Sequence, residues 1–164
     1  MAMSLQDASV RDAELVYHIK HEAYAACAAE AYGSWDEAFQ RGFTRGNLRF
    51  TRLIVVDGEV VGWMAVDRDS PEIDLVDIHI LPAHQRKGHG RKAIGVVLAE
   101  ADAAGKAVSL GVLRNNPSRS LYALLGFAPV GETKTHVLMR RPNRPPDPGP
   151  AFDAAAAGQG THSC

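Results

Sequence analysis

The stretch QRKGHGRKAIGVVLAEA, Gln85 to Ala101, sets Arg86, Lys87, Arg91 and Lys92 around Gly88 and Gly90 and then runs straight into an apolar repeat of helical spacing. A helix that opens there leaves its first backbone N–H groups without intrahelical partners, all pointing one way. The helix dipole and the four cations add positive potential, and the glycines let a ligand approach the backbone. The chemistry suited to such a junction is capture of an anion, a pyrophosphate in particular. A basic helix start whose glycines serve only the turn is the alternative, because short glycine patterns recur by chance. Two familiar phosphate motifs do not apply. There is no GxxxxGK[ST], and the GxG lacks the third glycine position and the early βαβ placement of a dinucleotide fold. Metal chemistry finds no support either. His79, His84 and His89 lie close together among seven histidines, but the glycine turn separates the last of them and no carboxylate–histidine ligand spacing emerges.

The elements that would hold this junction alternate between helix and strand. Leu15, Ile19, Ala23, Ala26 and Cys27 recur at helical spacing and stop at Gly33. Ser34 and Glu37 form a capping-box pattern, with Trp35, Ala38, Phe39 and Phe43 along one face of the helix that follows. RFTRLIVVDGEVVGWMAVD reads as a hairpin around Asp57-Gly58, and IDLVDIHIL as a third strand that ends at Pro82. The quoted junction comes next, with Ala93, Ile94, Val97, Leu98 and Ala101 as the apolar stripe of a helix reaching Gly105. AVSLGVL is a buried strand, PSRSLYALLG a short helix between Pro117 and Gly126, and THVLMR a closing strand. No internal repeat is present.

At 164 residues the chain fits one domain with a real core. With 46% hydrophobic residues, 23% charged residues and a formal net charge of -1, it carries no global basic field for nucleic acid and no membrane-length apolar run. The two cysteines, Cys27 and Cys164, make neither a disulfide framework nor a CxxC metal pattern, so a cytoplasmic setting is expected. From Pro142 the chain holds five of its nine prolines and one large apolar residue, Phe152, too little to offset its ordering entropy. The globular domain is therefore expected over residues 1–141, with 142–164 as a disordered, Pro/Ala-rich tail.

QRKGHG matches a Q/R-x-x-G-x-G/A signature, and NPSRSLYALLGF supplies a second block, an Asn before a short helix bearing LY and then LGF. In these two blocks, and in the order of its elements, the chain resembles the GNAT superfamily of N-acetyltransferases. The resemblance covers nearly all of the domain. It implies an α/β fold whose mixed sheet splays open between IDLVDIHIL and AVSLGVL, with acetyl-coenzyme A wedged into the gap. The pantetheine arm would pair with the backbone near Ile78 and Ile80. The pyrophosphate would rest on the segment Gln85, Arg86, Lys87, Gly88, His89, Gly90 and Arg91, and Asn116 would help hold the arm, a role compatible with capping the helix that Pro117 opens.

The reaction so implied is direct attack of a neutral amine on the thioester in a ternary complex, without a metal. It requires removal of the ammonium proton, stabilisation of the oxyanion and protonation of the departing thiolate. By resemblance the Ile78 N–H serves the oxyanion and Tyr122 the thiolate. Counting back from Gln85 as in relatives with an acidic base points to Asp74. Asp77 and His79 are its rivals; strict alternation puts them on one face and Asp74 on the other. Tyr24, Tyr32, Trp35 and Phe39, with Glu30, Asp36 and Glu37, fall in the region that lines the acceptor cleft of the family. The acceptor, a small-molecule or protein amine, is not specified. A homodimer is compatible with this reading, and nucleic acid and membrane partners are not expected. A coenzyme A binding or sensing module without catalysis is the alternative function.

Overall fold

A computed structural model describes residues 2–145. Seven strands form one mixed sheet in the order β1-β2-β3-β4-β5-β7-β6. They are β1 (Met3–Asp7), β2 (Thr51–Val56), β3 (Glu59–Asp67), β4 (Ile73–Ile80), β5 (Val108–Leu113), β6 (Ala128–Glu132) and β7 (His136–Arg141). Four helices flank it: α1 (Ala13–Tyr32), α2 (Glu37–Gly46), α3 (His89–Ala104) and α4 (Arg119–Leu124). This is the expected α/β architecture, with two strands that were not expected. β1 is short and half polar, and all five residues of β6 are exposed, so neither carries the apolar signal that marks a buried strand.

Two cores sit on opposite faces of the sheet. Ala93, Ile94, Val97, Leu98 and Ala101 of α3 are all buried, as their spacing requires, against Ile73, Leu75 and Ile80 of β4 and Leu110 and Val112 of β5. On the other face Val16 and Ile19 of α1 pack on Leu53, Trp63 and Ala65, and the Trp63 indole N–H donates to the Val16 carbonyl at 2.9 Å. The expected stripe of α1 is thereby corrected. Leu15 is largely exposed while Val16, Ile19 and Lys20 are buried, because an alanine-rich helix gives periodicity little to choose between. The start of α2 is corrected too. Asp36, not Ser34, is its N-cap, and its Oδ1 accepts the Phe39 N–H at 3.0 Å.

The feature that makes the site is an open seam. β4 and β5 run parallel but pair only at Ile73–Val108 and Asp74–Ser109, and beyond these two pairs the strands diverge. On its other edge β4 stays paired with β3 up to Gly62–Ile80, where a Cβ on Gly62 would collide with the His79 carbonyl. A bulge interrupts this ladder, since Val66 faces Leu75 while its neighbour Ala65 faces Asp77. Ile73, Leu75, Ile78 and Ile80 consequently all join the α3 core, and Val76 joins the α1 core.

β7 ends at Arg141. The Arg144 N–H still donates to Asp102 Oδ1 at 2.8 Å, so the chain stays attached a few residues further. Of the expected tail, 142–164, the part from residue 146 onward lies outside the described residues. Among the described residues no helix is long and apolar enough to cross a membrane, and no cluster of His, Cys, Asp or Glu could hold a metal ion.

Candidate active site

The seam is lined by Ile78 and Ile80 of β4, by the turn that carries Gln85, Arg86, Gly88, His89, Gly90 and Arg91, and by Asn116 and Tyr122 on the β5 side. Of the residues assigned to the coenzyme from sequence, only Lys87 does not line it. The turn wraps tightly because two residues adopt left-handed backbone, Arg86 at φ 64° and Gly88 at φ 86°. Such a turn curls successive N–H groups into an anion-binding concavity, and α3 begins immediately after it. The Gln85 side-chain amide donates to the Ile80 carbonyl at 2.9 Å and fastens the turn to the end of β4. His89 is buried, and burial together with the neighbouring His84 and Lys87 lowers its pKa, which favours the uncharged ring. Asn116 Oδ1 accepts the Ser118 N–H at 2.8 Å, so the side chain organises the turn into α4.

Tyr122 sits on α4 with its ring buried and meeting Phe127 edge-on at 5.8 Å. Its hydroxyl makes no hydrogen bond to a described residue. Burial and then the negative charge of Asp77 push its pKa above the ordinary tyrosine value, so it remains a proton donor at neutral pH.

Asp74 lies elsewhere. It is exposed at the paired end of the seam, opposite Asp67 of β3, and lines neither the seam nor the cavity beside it. Its pKa is raised by partial desolvation and then by Asp67. Asp77 is the carboxylate that the fold brings to the site, and the alternation argument that separated the two is overturned by the bulge, which resets the phase of β4 between them.

Asp77 belongs to a compact charged cluster. Lys20 Nζ lies 2.7 Å from its Oδ2 and His79 Nε2 lies 2.6 Å from its Oδ1, although the imidazole is not turned to make a linear hydrogen bond. Burial alone would raise the Asp77 pKa, but the charges of His79 and Lys20 outweigh it and hold the carboxyl below the usual carboxylate range. The His79 ring is wedged between Tyr24 at 5.0 Å and Trp63 at 5.1 Å. Lys20, at 4% exposure, was missed in the sequence, yet it shares the apolar stripe of Val16 and Ile19, and a lysine on such a face is a signal of a buried partner.

A second cavity of about 530 Å³ adjoins the seam between α1, α2 and the sheet. Tyr24, Tyr32, Asp36, Phe39 and Phe43 line it, along with Lys20 and Gln40. Of the side chains expected there, Trp35 is instead bonded to the Tyr17 hydroxyl at 2.9 Å, and Glu30 and Glu37 are not in the lining. The two cavities share Tyr24, Val76, Asp77 and Gly111, so they adjoin beside the bulge of β4.

Known structures share this architecture at low sequence identity. The PaiA N-acetyltransferase of Thermoplasma acidophilum, solved in complex with coenzyme A, matches with a TM-score of 0.70 at 16% identity, over 87% of this chain and 99% of its own. The ribosomal-protein-S18-alanine N-acetyltransferase of Escherichia coli matches with a TM-score of 0.67 at 19% identity, over 92% of this chain and 100% of its own. The N-acetylglutamate synthase of Neisseria gonorrhoeae, complexed with coenzyme A and N-acetyl-glutamate, matches with a TM-score of 0.64 at 14% identity, over 88% of this chain but 36% of its own. No curated protein matches in sequence. Residues 13–127, which run from the start of α1 through both sequence blocks, match the model of the Acetyltransferase (GNAT) family, and the chain belongs to that family of acyltransferases.

Proposed function

We propose that the protein transfers the acetyl group of acetyl-coenzyme A to a primary amine by direct attack in a ternary complex. The observation that carries this reading is the meeting of the two cavities at Tyr24, Val76, Asp77 and Gly111. A thioester held in the seam and an amine held in the aromatic cavity would approach each other there. The relatives named above are N-acetyltransferases, or carry coenzyme A with an N-acetyl product, which agrees with an amine acceptor.

The coenzyme fits the residues present. The seam leaves the edge of β4 beyond Asp74 without a strand partner, so an extended pantetheine arm could pair along Ile78 and Ile80, and the Ile78 N–H would stabilise the oxyanion. The turn from Gln85 to Arg91 would hold the pyrophosphate, and Asn116 would flank the arm. In this mechanism Asp77, kept ionised by Lys20, accepts a hydrogen bond from the incoming amine, and the Asp77–His79 pair carries the proton away. Tyr122 gives its proton to the departing thiolate.

Incubation with acetyl-coenzyme A and a panel of amines, read by thiol release, tests the reading. Amine-dependent release is expected. Coenzyme binding without turnover of any amine would indicate the non-catalytic module instead. Asp74→Asn serves as the check on the base, with kcat/KM expected to stay within about twofold of wild type across the pH range, as for a group that touches no reactant.

The cradle has its own prediction. A Cβ on Gly90 would meet only Ile80 Cγ1, at 3.7 Å, so the fold itself has room for a side chain there. Gly90→Val is therefore expected to keep the wild-type melting temperature but to weaken coenzyme A binding roughly tenfold or more by calorimetry, because the added bulk occupies the approach to the backbone amides. Lys92→Ala, which leaves those amides in place, should change affinity far less. Unchanged affinity in the Gly90 variant would remove the coenzyme from this turn.

A further inference from the structure

We infer that Gln40 selects the acceptor, and that the acceptor is a compact primary amine with an apolar body, a second N–H donor and no carboxylate. This rests on the N-acetyltransferase reading above. Gln40 is 8% exposed and lines the aromatic cavity, and its Oε1 is buried with no hydrogen-bond partner. A buried carbonyl left unpaired is costly, and a donor supplied by a ligand would offset that cost. Gln40 and Phe43 lie three residues apart on α2 and Asp36 is its N-cap, so the start of that helix places a carboxylate, the Gln40 amide and an aromatic ring in the lining of the same cavity.

The rest of the lining narrows the class. Tyr24, Tyr32, Phe39 and Phe43 offer ring faces, and Phe39 and Tyr32 are 60% and 49% exposed. Such a wall suits an apolar body. A carboxylate on the acceptor would need a cation. The one lysine in the lining, Lys20, is committed to Asp77 at 2.7 Å with its ammonium over the Phe43 ring at 4.5 Å, and His136 is held toward the neutral form by burial. Asp36 uses one oxygen to cap α2, and its negative charge draws an ammonium toward the cavity while repelling an acid. A volume of about 530 Å³ takes a small molecule. The simplest molecule with these features is an α-amino amide.

The test uses the full chain and three amines that share one aromatic body: phenylalaninamide, which has the second donor, phenethylamine, which lacks it, and phenylalanine, which carries a carboxylate. Each is measured with wild type and with Gln40→Met, a variant of similar shape that lacks the acceptor. Because each amine is compared with itself across the two proteins, differences in amine basicity cancel. The variant should lower kcat/KM for phenylalaninamide about tenfold and leave phenethylamine within about twofold, the scale of one lost buried hydrogen bond. Phenylalanine should be the poorest substrate of wild type. The variant should also melt at or above the wild-type temperature when empty, since it removes an unsatisfied polar group. A peptide with the same first residue and a blocked C-terminus separates a free small molecule from a chain end as the source of the amide.

Equal losses for phenylalaninamide and phenethylamine, or a preference for phenylalanine over its amide, overturn the assignment of Gln40 while leaving amine acetylation intact. If no amine is turned over, the acetyltransferase reading fails first. Gln40 is then judged by calorimetric titration of phenylalaninamide into the coenzyme-bound protein, where the same tenfold difference is expected and equal binding to both proteins overturns it.

Discussion

Tyr122→Phe should lower kcat by about 10²-fold or more, the scale for losing a positioned acid, with little change in melting temperature or coenzyme affinity. The ring is what the core uses. It lies against Phe127 and inside the α3 cluster, and phenylalanine keeps all of that contact. The hydroxyl makes no hydrogen bond to a described residue, so its removal strands no protein partner. Burial and the nearby Asp77 charge hold the phenol protonated, which keeps the donor loaded across the neutral range. A tyrosine that merely packs predicts wild-type turnover in the same variant, and single-turnover acetylation of the best amine distinguishes the two. Turnover at the wild-type rate would leave thiolate departure to solvent or to another group in the seam.

Asp77→Asn should cost both stability and rate. Breaking a buried ion pair from one side destabilises by about 3–5 kcal/mol, because the remaining charge is left without compensation. Here that charge is Lys20, at 4% exposure with Asp77 as its ion-pair partner. Chemical denaturation at neutral pH should show the loss, and kcat should fall by about 10²-fold or more as the carboxylate that holds the amine beside His79 disappears. The pH dependence carries a sign. Asp77 has a lower pKa in the folded chain than unfolded, so its contribution is complete above the ordinary carboxylate range, near pH 4, and declines as pH falls toward the folded value. The stability gap between wild type and variant should therefore narrow on acidification. A double variant, Lys20→Met with Asp77→Leu, separates the two roles. Removing both charges should restore much of the stability but none of the rate. Restored rate in that variant would mean that the pair only supports the fold.

What the sequence disclosed follows the physical source of each feature. The glycine turn was legible because it depends on backbone, and backbone demands show directly as glycines and helix starts; Gly88 at a left-handed φ is such a demand. The α3 stripe was legible because five buried positions repeat at one period. The edge strands were not, since β6 exposes every residue and leaves alternation nothing to register. The carboxylate that lines the seam was hidden for a different reason. A bulge on β4 is an irregularity of pairing with β3, and no local composition announces it, so counting along the strand led to Asp74 rather than to the Asp77 that the fold carries into the site. Gln40 was hidden in a helix whose face becomes polar or apolar only once a neighbour is known, whereas Lys20 on the stripe of Val16 and Ile19 left a signal.

The open seam also divides the molecule mechanically. The leaf β1–β4 and the leaf β5–β7 are stitched by two residue pairs at one end of a parallel junction, while Gly62 clamps β4 to its own leaf so closely that the strand cannot drift toward the other. Sheet hydrogen bonds thus give the gap almost no resistance to a change in width, and α3 acts as the hinge strap, by its apolar stripe and by ion pairs from Glu100 to Arg52 and Arg68 on one side and from Asp102 to Arg141 on the other. A molecule that lies along the gap with backbone-like amides works as an eighth strand and rivets the leaves together. Loading the donor substrate would then stiffen the whole sheet, including the wall that α1 and α2 share with the second cavity, so that the acceptor meets a firmer surface after the donor has bound than before.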